Sequence, residues 1–158
     1  MAIILRNDSG FQIYLPDLDR TKVPKTVKTA AGIPVKVRIL YVDDDQQIAE
    51  MGRRVLEQLG YQVASFTSSL AAREVFHADP QEFDLVITDL SMPLISGLEL
   101  AADFAKRRPD LPIILYSGSE AVSFNEARRH GIWEFLRKPT NILELARAIR
   151  RVLNSRPK

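Results

Sequence analysis

Four short groups of residues in this sequence could do chemistry together. Asp43-Asp44-Asp45 directly follows the apolar run Val37 to Val42, and Asp89 closes the run Phe83 to Thr88. Ser117-Gly118 closes Ile113 to Tyr116, and Lys138-Pro139 follows Ile132 to Arg137. Asp45 is accounted for as the cap of a following helix. Asp43 and Asp44 are not, because two adjacent carboxylates at a buried strand end repel each other and lose hydration unless a cation sits there. If the first and third apolar runs are neighbouring strands, Asp43, Asp44 and Asp89 converge. Hard oxygen ligands of this kind suit Mg²⁺, which binds through one or two carboxylates and keeps several waters. Ser117 adds a hydroxyl that Gly118 leaves unobstructed, and Lys138 adds a cation at the mouth of the same crevice. Taken singly, a serine or lysine at a strand end is an ordinary turn or solvated residue. The order Asp-Asp, Asp, Ser, Lys at successive strand ends is what carries the signal.

The elements that must hold these groups are legible in the hydrophobic pattern. Short β-branched runs at 37–42, 61–66, 83–88, 113–117 and 132–136 alternate with stretches of helical period. The first helical stretch places Ile48, Val55, Leu56 and Leu59 on one face and ends at Gly60. Helices are expected over 68–78 and 97–108, bounded by Asp79-Pro80 and Pro109, over 120–130 with weak amphipathicity, and at the end with Ile142, Leu145, Ile149, Val152 and Leu153 inward. Five strands alternating with five helices through right-handed crossovers make a parallel sheet covered on both faces, whose ligands lie beyond the carboxyl ends of the strands.

Composition narrows the alternatives. A chain of 158 residues, 46% hydrophobic and 27% charged, has the size of one domain with a short appendage. It buries roughly 70% of its unfolded surface and needs no disulfide or structural metal for stability. There is no cysteine, which excludes a disulfide framework, a thiol nucleophile and thiolate metal sites. No apolar run approaches the ~20 residues that span a bilayer, and Met1 to Asp8 lacks the pattern of a signal peptide, so a cytoplasmic chain without membrane contact is expected. Residues 1–36 carry six basic and three acidic side chains, which leaves a net −1 for residues 37–158 out of the overall +2. The basic excess lies in a proline-containing stretch, Pro16 to Pro34, without sustained period, so it reads as a linker and not as a nucleic-acid surface. A domain boundary is placed near Lys36, giving an extension over 1–36 and a domain over 37–158.

Residues 37–154 resemble the receiver domain of two-component response regulators. The resemblance rests on Ile39-Leu40-Tyr41-Val42-Asp43-Asp44-Asp45, on Asp84 to Pro93, on Gly97-Leu98-Glu99-Leu100, on Pro112 to Gly118 and on Gly131 to Pro139, and it covers about three quarters of the chain. It implies a flavodoxin-like, doubly wound sheet of strand order 2-1-3-4-5 with five helices. It implies that Asp89 accepts a phosphoryl group from the phosphohistidine of a histidine kinase or phosphotransfer protein. Asp44, Asp89 and the main-chain carbonyl of Ser91 would ligate Mg²⁺, Asp43 would act through a metal-bound water, Lys138 would pair with the phosphoryl group, and Ser117 and Phe135 would form the switch. Catalysis would extend only to the domain's own phosphorylation and dephosphorylation.

The sequence departs from the family pattern in places. Phe135 has no hydroxyl where the family often has tyrosine, so its ring can follow a vacancy left by Ser117 but cannot form a tyrosine-type hydrogen bond. Trp133 takes a slot more often small or acidic. On an alternating strand it points the same way as Phe135, either packing under a neighbouring helix or contributing to a protein-binding patch that includes a homodimer contact. Ser96 replaces a usual aspartate and reads as a cap. His77 and His130 sit at helix ends without the surroundings of a phosphodonor histidine. Ser9 to Pro16 alternates like a strand and resembles the closing strand of a sensor kinase ATP-binding domain, as at the carboxyl end of a hybrid kinase, the alternative being a plain extension. A receiver-like module that binds metal or a partner without phosphotransfer is the second functional reading. A phosphohydrolase fits poorly, because Ser91 stands where its acid/base carboxylate would be.

Overall fold

A computed structural model describes residues 37–156, preceded by two short strand pairs, Ile3–Asn7 with Gly10–Tyr14 and Val27–Lys28 with Pro34–Val35, each antiparallel. The expected strand over Ser9 to Pro16 is thus present as Gly10–Tyr14, while Ser9, Leu15, Pro16 and most of the linker lie outside the described residues.

From residue 37 the chain alternates strand and helix. The strands are β1 (Arg38–Val42), β2 (Gln62–Phe66), β3 (Leu85–Thr88), β4 (Ile113–Ser117) and β5 (Glu134–Arg137). The helices are α1 (Gln46–Gln58), α2 (Ser69–Ala78), α3 (Gly97–Arg107), α4 (Phe124–Arg129) and α5 (Ile142–Asn154). The strands form one parallel sheet in the order β2-β1-β3-β4-β5. A sheet buried on both faces needs apolar residues without alternation, which is why all four residues of β3 are buried. One face sends Ile39, Tyr41, Ile87, Ile114 and Leu136 against α1 and α5, through Ala49, Leu56, Leu145, Ile149 and Val152. The other sends Leu40, Val42, Val86, Ile113 and Leu115 against α2, α3 and α4, where the rings of Phe76 and Phe104 stack with centroids 3.9 Å apart. Among the described residues no helix is long and apolar enough to cross a membrane.

Side-chain caps start every helix. Asp45 accepts from the amides of Gln47 and Ile48, Ser68 from Ala71, Ser123 from Glu126 and Asn141 from Glu144. Ser96 and Glu99 form a reciprocal capping box at α3, as the reading of Ser96 required. The Ser96 amide, then its hydroxyl, hold the Glu99 carboxyl below its ordinary value of 4.5. A depressed carboxylate contributes stability that is present above its unfolded pKa and lost as pH falls through the folded one. Ser96→Ala removes the side-chain acceptor for the Glu99 amide and is expected to cost about 1 kcal/mol near neutral pH in urea unfolding. The deficit should narrow on acidification below pH 4.5, as the parent loses the Glu99 contribution too. A deficit independent of pH would show that the Ser96 hydroxyl does not act through the Glu99 carboxylate, which the backbone amide at position 96 holds in either variant.

Two expectations shift. The helix expected over 120–130 is shortened to Phe124–Arg129, because Ser123 caps it at one end and Gly131, at φ +88°, ends it at the other. Only Ala127 of α4 is buried, which explains its weak amphipathic signal. The last strand begins at Glu134 and not at Ile132, since the Ile132 amide is spent on the carbonyl of Ala127 and the ladder with β4 opens at Ile114 and Glu134.

Candidate functional site

Parallel order puts the ends of β1 and β3 side by side, with Val42 opposite Thr88, so the residues that follow must meet. The Asp89 amide donates to the carbonyl of Val42 at 2.9 Å, and the Asp43 amide to that of Phe66 at 3.1 Å, which fixes both backbones. One carboxylate oxygen from each of Asp43, Asp44 and Asp89 lies within 4.8 Å of the other two. Asp43 and Asp89 are buried and Asp44 is exposed, so the cluster opens to solvent on the Asp44 side.

Lys138 reaches in from β5. Its Nζ donates to Asp43 Oδ2 at 2.6 Å and to Asp89 Oδ1 at 3.0 Å. The remaining oxygens are partly engaged, Asp43 Oδ1 by the amide of Asp45 and Asp89 Oδ2 by the amide of Ser91, each at 3.0 Å. Burial pushes the Asp43 carboxyl above its usual range, against the opposing pull of the Lys138 hydrogen bond. For Lys138, burial works against the charge, but the two carboxylates outweigh it and hold the ammonium above its ordinary value. With all four groups ionised the site carries −2, and one divalent cation neutralises it. Oxygens on a Mg²⁺ ion lie about 2.1 Å from it and so up to about 4.2 Å apart, a span compatible with two direct carboxylates and a third through water.

Ser117 ends β4, 2% exposed, and its carbonyl accepts the Lys138 amide at 3.0 Å. Its hydroxyl accepts the amide of Ser119 at 3.1 Å, so it is engaged in its own loop and not with the carboxylates. A methyl group on Gly118 would meet Cβ of Lys138 at 3.8 Å, an ordinary contact. Phe135 is half-buried against the α2–α4 side of the core, three residues before Lys138. Ser91 is exposed on the loop after β3. Asp43, Asp44, Asp89, Ser91, Ser117 and Lys138 are thus carried by the strand ends and loops at the carboxyl end of the sheet, while Phe135 lies within β5.

The orientation of Trp133 requires correction. It packs against the α1/α5 side of the core, opposite to Phe135. Alternation fails there because Trp133 precedes the ladder, and Glu134, which follows it, also turns toward α5 to pair with Arg151 at 2.6 Å. The packing reading of Trp133 therefore holds. The histidines are likewise local: His77 Nε2 lies 2.5 Å from Asp103 across α2 and α3, and His130 Nδ1 contacts the carbonyl of Glu126.

Two participants escaped the sequence reading. Lys138 Nζ lies 5.2 Å from the ring centroid of Tyr116, a cation–π contact beneath the ammonium. An aromatic residue at the end of a buried strand carried no signal separating this role from packing. Gly97 is pressed against the backbone of Asp89: a Cβ there would sit 1.9 Å from the Asp89 carbonyl oxygen.

The profile of the response regulator receiver domain matches residues 39–150. The chain belongs to this family. The response regulator receiver protein CpdR of Brucella abortus is 34% identical over 119 residues, covering 73% of this chain and 96% of its own. The sensor kinase CckA of the same organism is 28% identical over 153 residues, covering 90% of this chain and 16% of its own. The structure of the response regulator TrrA from Thermotoga maritima, solved in complex with Mg²⁺ and BeF, superposes on this receiver with a TM-score of 0.67 at 31% identity, covering 73% of this chain and 98% of that one. This receiver spans 20–25% of the length of four other curated relatives, which are longer regulators.

Proposed function

We propose that this receiver is a phosphoacceptor switch in which Asp89 takes a phosphoryl group from the phosphohistidine of a histidine kinase or phosphotransfer protein. The observation that carries the reading is the double contact of Lys138 with Asp43 and Asp89 over an acidic cluster one divalent cation short of neutrality. Mg²⁺ would be held by Asp44, Asp89 and the Ser91 carbonyl, with Asp43 behind a water, and would supply positive charge for the oxygens of the transferring group. Phosphoryl transfer has a loose transition state, so positioning and charge neutralisation do most of the work. An Asp89 oxygen attacks phosphorus, the P–N bond to the donor imidazole breaks, and the leaving imidazole takes a proton from solvent. Lys138 then follows the phosphoryl oxygens away from Asp43. Ser117 exchanges its bond with the Ser119 amide for one to the acyl phosphate, and Phe135 moves into the space released.

No separate substrate is required, because acceptor and product are the same side chain. Residues 1–36 are proposed to be the end of a kinase ATP-binding domain and its linker. Support comes from the strand at Gly10–Tyr14 and from the match to a sensor kinase over 90% of the chain, more than residues 37–158 alone can provide.

The test is incubation with Mg²⁺ and a small acyl phosphate, followed by peptide mass spectrometry. One phosphoryl group on Asp89, absent when the metal is chelated, is the expected result. Mg²⁺ binding with Asp89 left unmodified would replace the proposal with the metal-binding module.

A further inference from the structure

A lysine ammonium rides on a flexible four-carbon stem and carries three N–H donors, so its place in a site is set by whatever receives those donors. Two donors of Lys138 are accounted for, by Asp43 Oδ2 at 2.6 Å and Asp89 Oδ1 at 3.0 Å. Among the described residues no third oxygen accepts from it. What it meets besides is the ring of Tyr116, whose centroid lies 5.2 Å from Nζ. The Lys138 side chain is only 18% exposed, and a cation shielded from water is held more firmly by a π face than one at the surface.

Strand register brings the two together. Tyr116 pairs with Leu136 across β4 and β5, and Lys138 follows two residues later, its amide donating to the carbonyl of Ser117 at 3.0 Å. Leu136 and Tyr116 both belong to the α1/α5 side of the core, where the tyrosine is half-buried. The ring is therefore fixed by packing, whereas the ammonium is fixed only by what it touches. Asp43 and Asp89 cannot both keep it during transfer, because an arriving phosphoryl group claims one of its donors. The ring is the partner that need not let go.

We infer that Tyr116 is a positioning residue for phosphoryl transfer, its ring face keeping the Lys138 ammonium over Asp89 while that ammonium exchanges Asp43 for an oxygen of the incoming group. This rests on the phosphoacceptor reading of Asp89. A π face suits the task because it attracts a cation without competing for it. A carboxylate in its place would retain the lysine and draw the divalent cation as well, and an aliphatic side chain would leave the ammonium free to turn toward solvent. The attraction comes from the ring, so the phenolic hydroxyl is not required.

The experiment measures labelling of Asp89 in the full chain by a small acyl phosphate at saturating Mg²⁺, with Tyr116 varied alone and together with Lys138→Met. Tyr116→Leu is expected to slow labelling about five- to tenfold, the scale of one shielded cation–π contact, and Tyr116→Phe to restore the rate that leucine loses. Tyr116→Ile, whose branched side chain suits a strand, is run beside the leucine variant with the same expectation, so that the result does not hang on how one variant folds. In the Lys138→Met background, Tyr116→Leu should change the remaining rate less than about twofold, since the group it positions is gone. Nuclear magnetic resonance supplies a readout that needs no phosphoryl donor. The ε-methylene protons of Lys138, assigned by their loss in Lys138→Met, should resonate upfield in the parent and in Tyr116→Phe relative to Tyr116→Leu, because they lie in the field of the ring. Equal slowing by Tyr116→Leu with and without Lys138 would assign the ring to packing and overturn the inference. So would slowing by Tyr116→Phe as large as by Tyr116→Leu, or methylene resonances that ignore the ring. Failure of the acyl phosphate to label the parent would instead refute the phosphoacceptor reading, and the resonance comparison would still report whether the ring holds the ammonium.

Discussion

Gly97→Ala is expected to cost about 3 kcal/mol or more and to abolish efficient labelling of Asp89, although position 97 contributes no side chain to the site. The added Cβ would fall 1.9 Å from the Asp89 carbonyl oxygen, 2.9 Å from its carbonyl carbon and 3.1 Å from Cα of Leu90. All three are backbone atoms, so no rotamer change relieves the clash. Ordinary contact begins near 3.4 Å, so either the start of α3 or the Asp89–Leu90 backbone must move by about 1.5 Å. Moving α3 sacrifices the bond from the Gly97 amide to Leu90 and disturbs the capping box at Ser96. Moving Asp89 disrupts its 3.0 Å contact with Lys138, and transfer chemistry is sensitive to shifts of this size. For a domain of this size the unfolding temperature should fall by roughly 10–15 °C. An alanine variant within about 1 kcal/mol of the parent, with undiminished labelling, would show that the loop yields without effect.

Lys138→Met is expected to lower phosphoryl uptake at Asp89 at least about 100-fold, the scale seen when one group that stabilises developing charge is removed. Asp89→Asn sets the floor, because it removes the nucleophile itself. The lysine variant should also lose stability. Asp43 is 2% exposed, and without the ammonium 2.6 Å away its charge stays buried beside Asp44 and Asp89. Breaking a buried pair costs about 3–5 kcal/mol, and the partial exposure of Lys138 reduces this to about 2–3 kcal/mol in metal-free buffer. Adding Asp43→Asn should recover most of that loss without recovering uptake. Chemical unfolding of the single and double variants checks the first part, and labelling kinetics the second. If the double variant is no more stable than Lys138→Met, the stabilising role of Lys138 is not electrostatic.

The fold was readable because a doubly covered parallel sheet demands strands that are apolar throughout, and those runs stand out between helical periods. Ile113–Ser117 falls where expected to the residue, and the other strands differ by one or two residues at their ends. The site was readable for the same reason: Asp43, Asp89, Ser117 and Lys138 each adjoin such a run, and topology turns four distant positions into one crevice. Asp45 and Ser96 were readable as caps because capping depends on neighbours three residues away.

What escaped depends on contacts between elements. Trp133 and Phe135 have the spacing of one strand face, but the hydrogen bonds of Ile132 and Trp133 to Ala127 and Ile113 delay the ladder and send the two rings to opposite sides. The ring of Tyr116 under Lys138, the backbone of Asp89 against Gly97 and the strained, exposed Leu94 leave no periodic trace either. The sequence by itself determined which residues are buried, where strands and helices alternate, and which charged groups stand at strand ends, because burial, capping and charge act over a few residues. Only the tertiary structure decided how deeply Asp43 and Asp89 are covered, that one ammonium joins them, and that Leu94 is left exposed on a turn of positive φ. Those outcomes are distances between segments far apart in the chain, set by packing that no local pattern encodes.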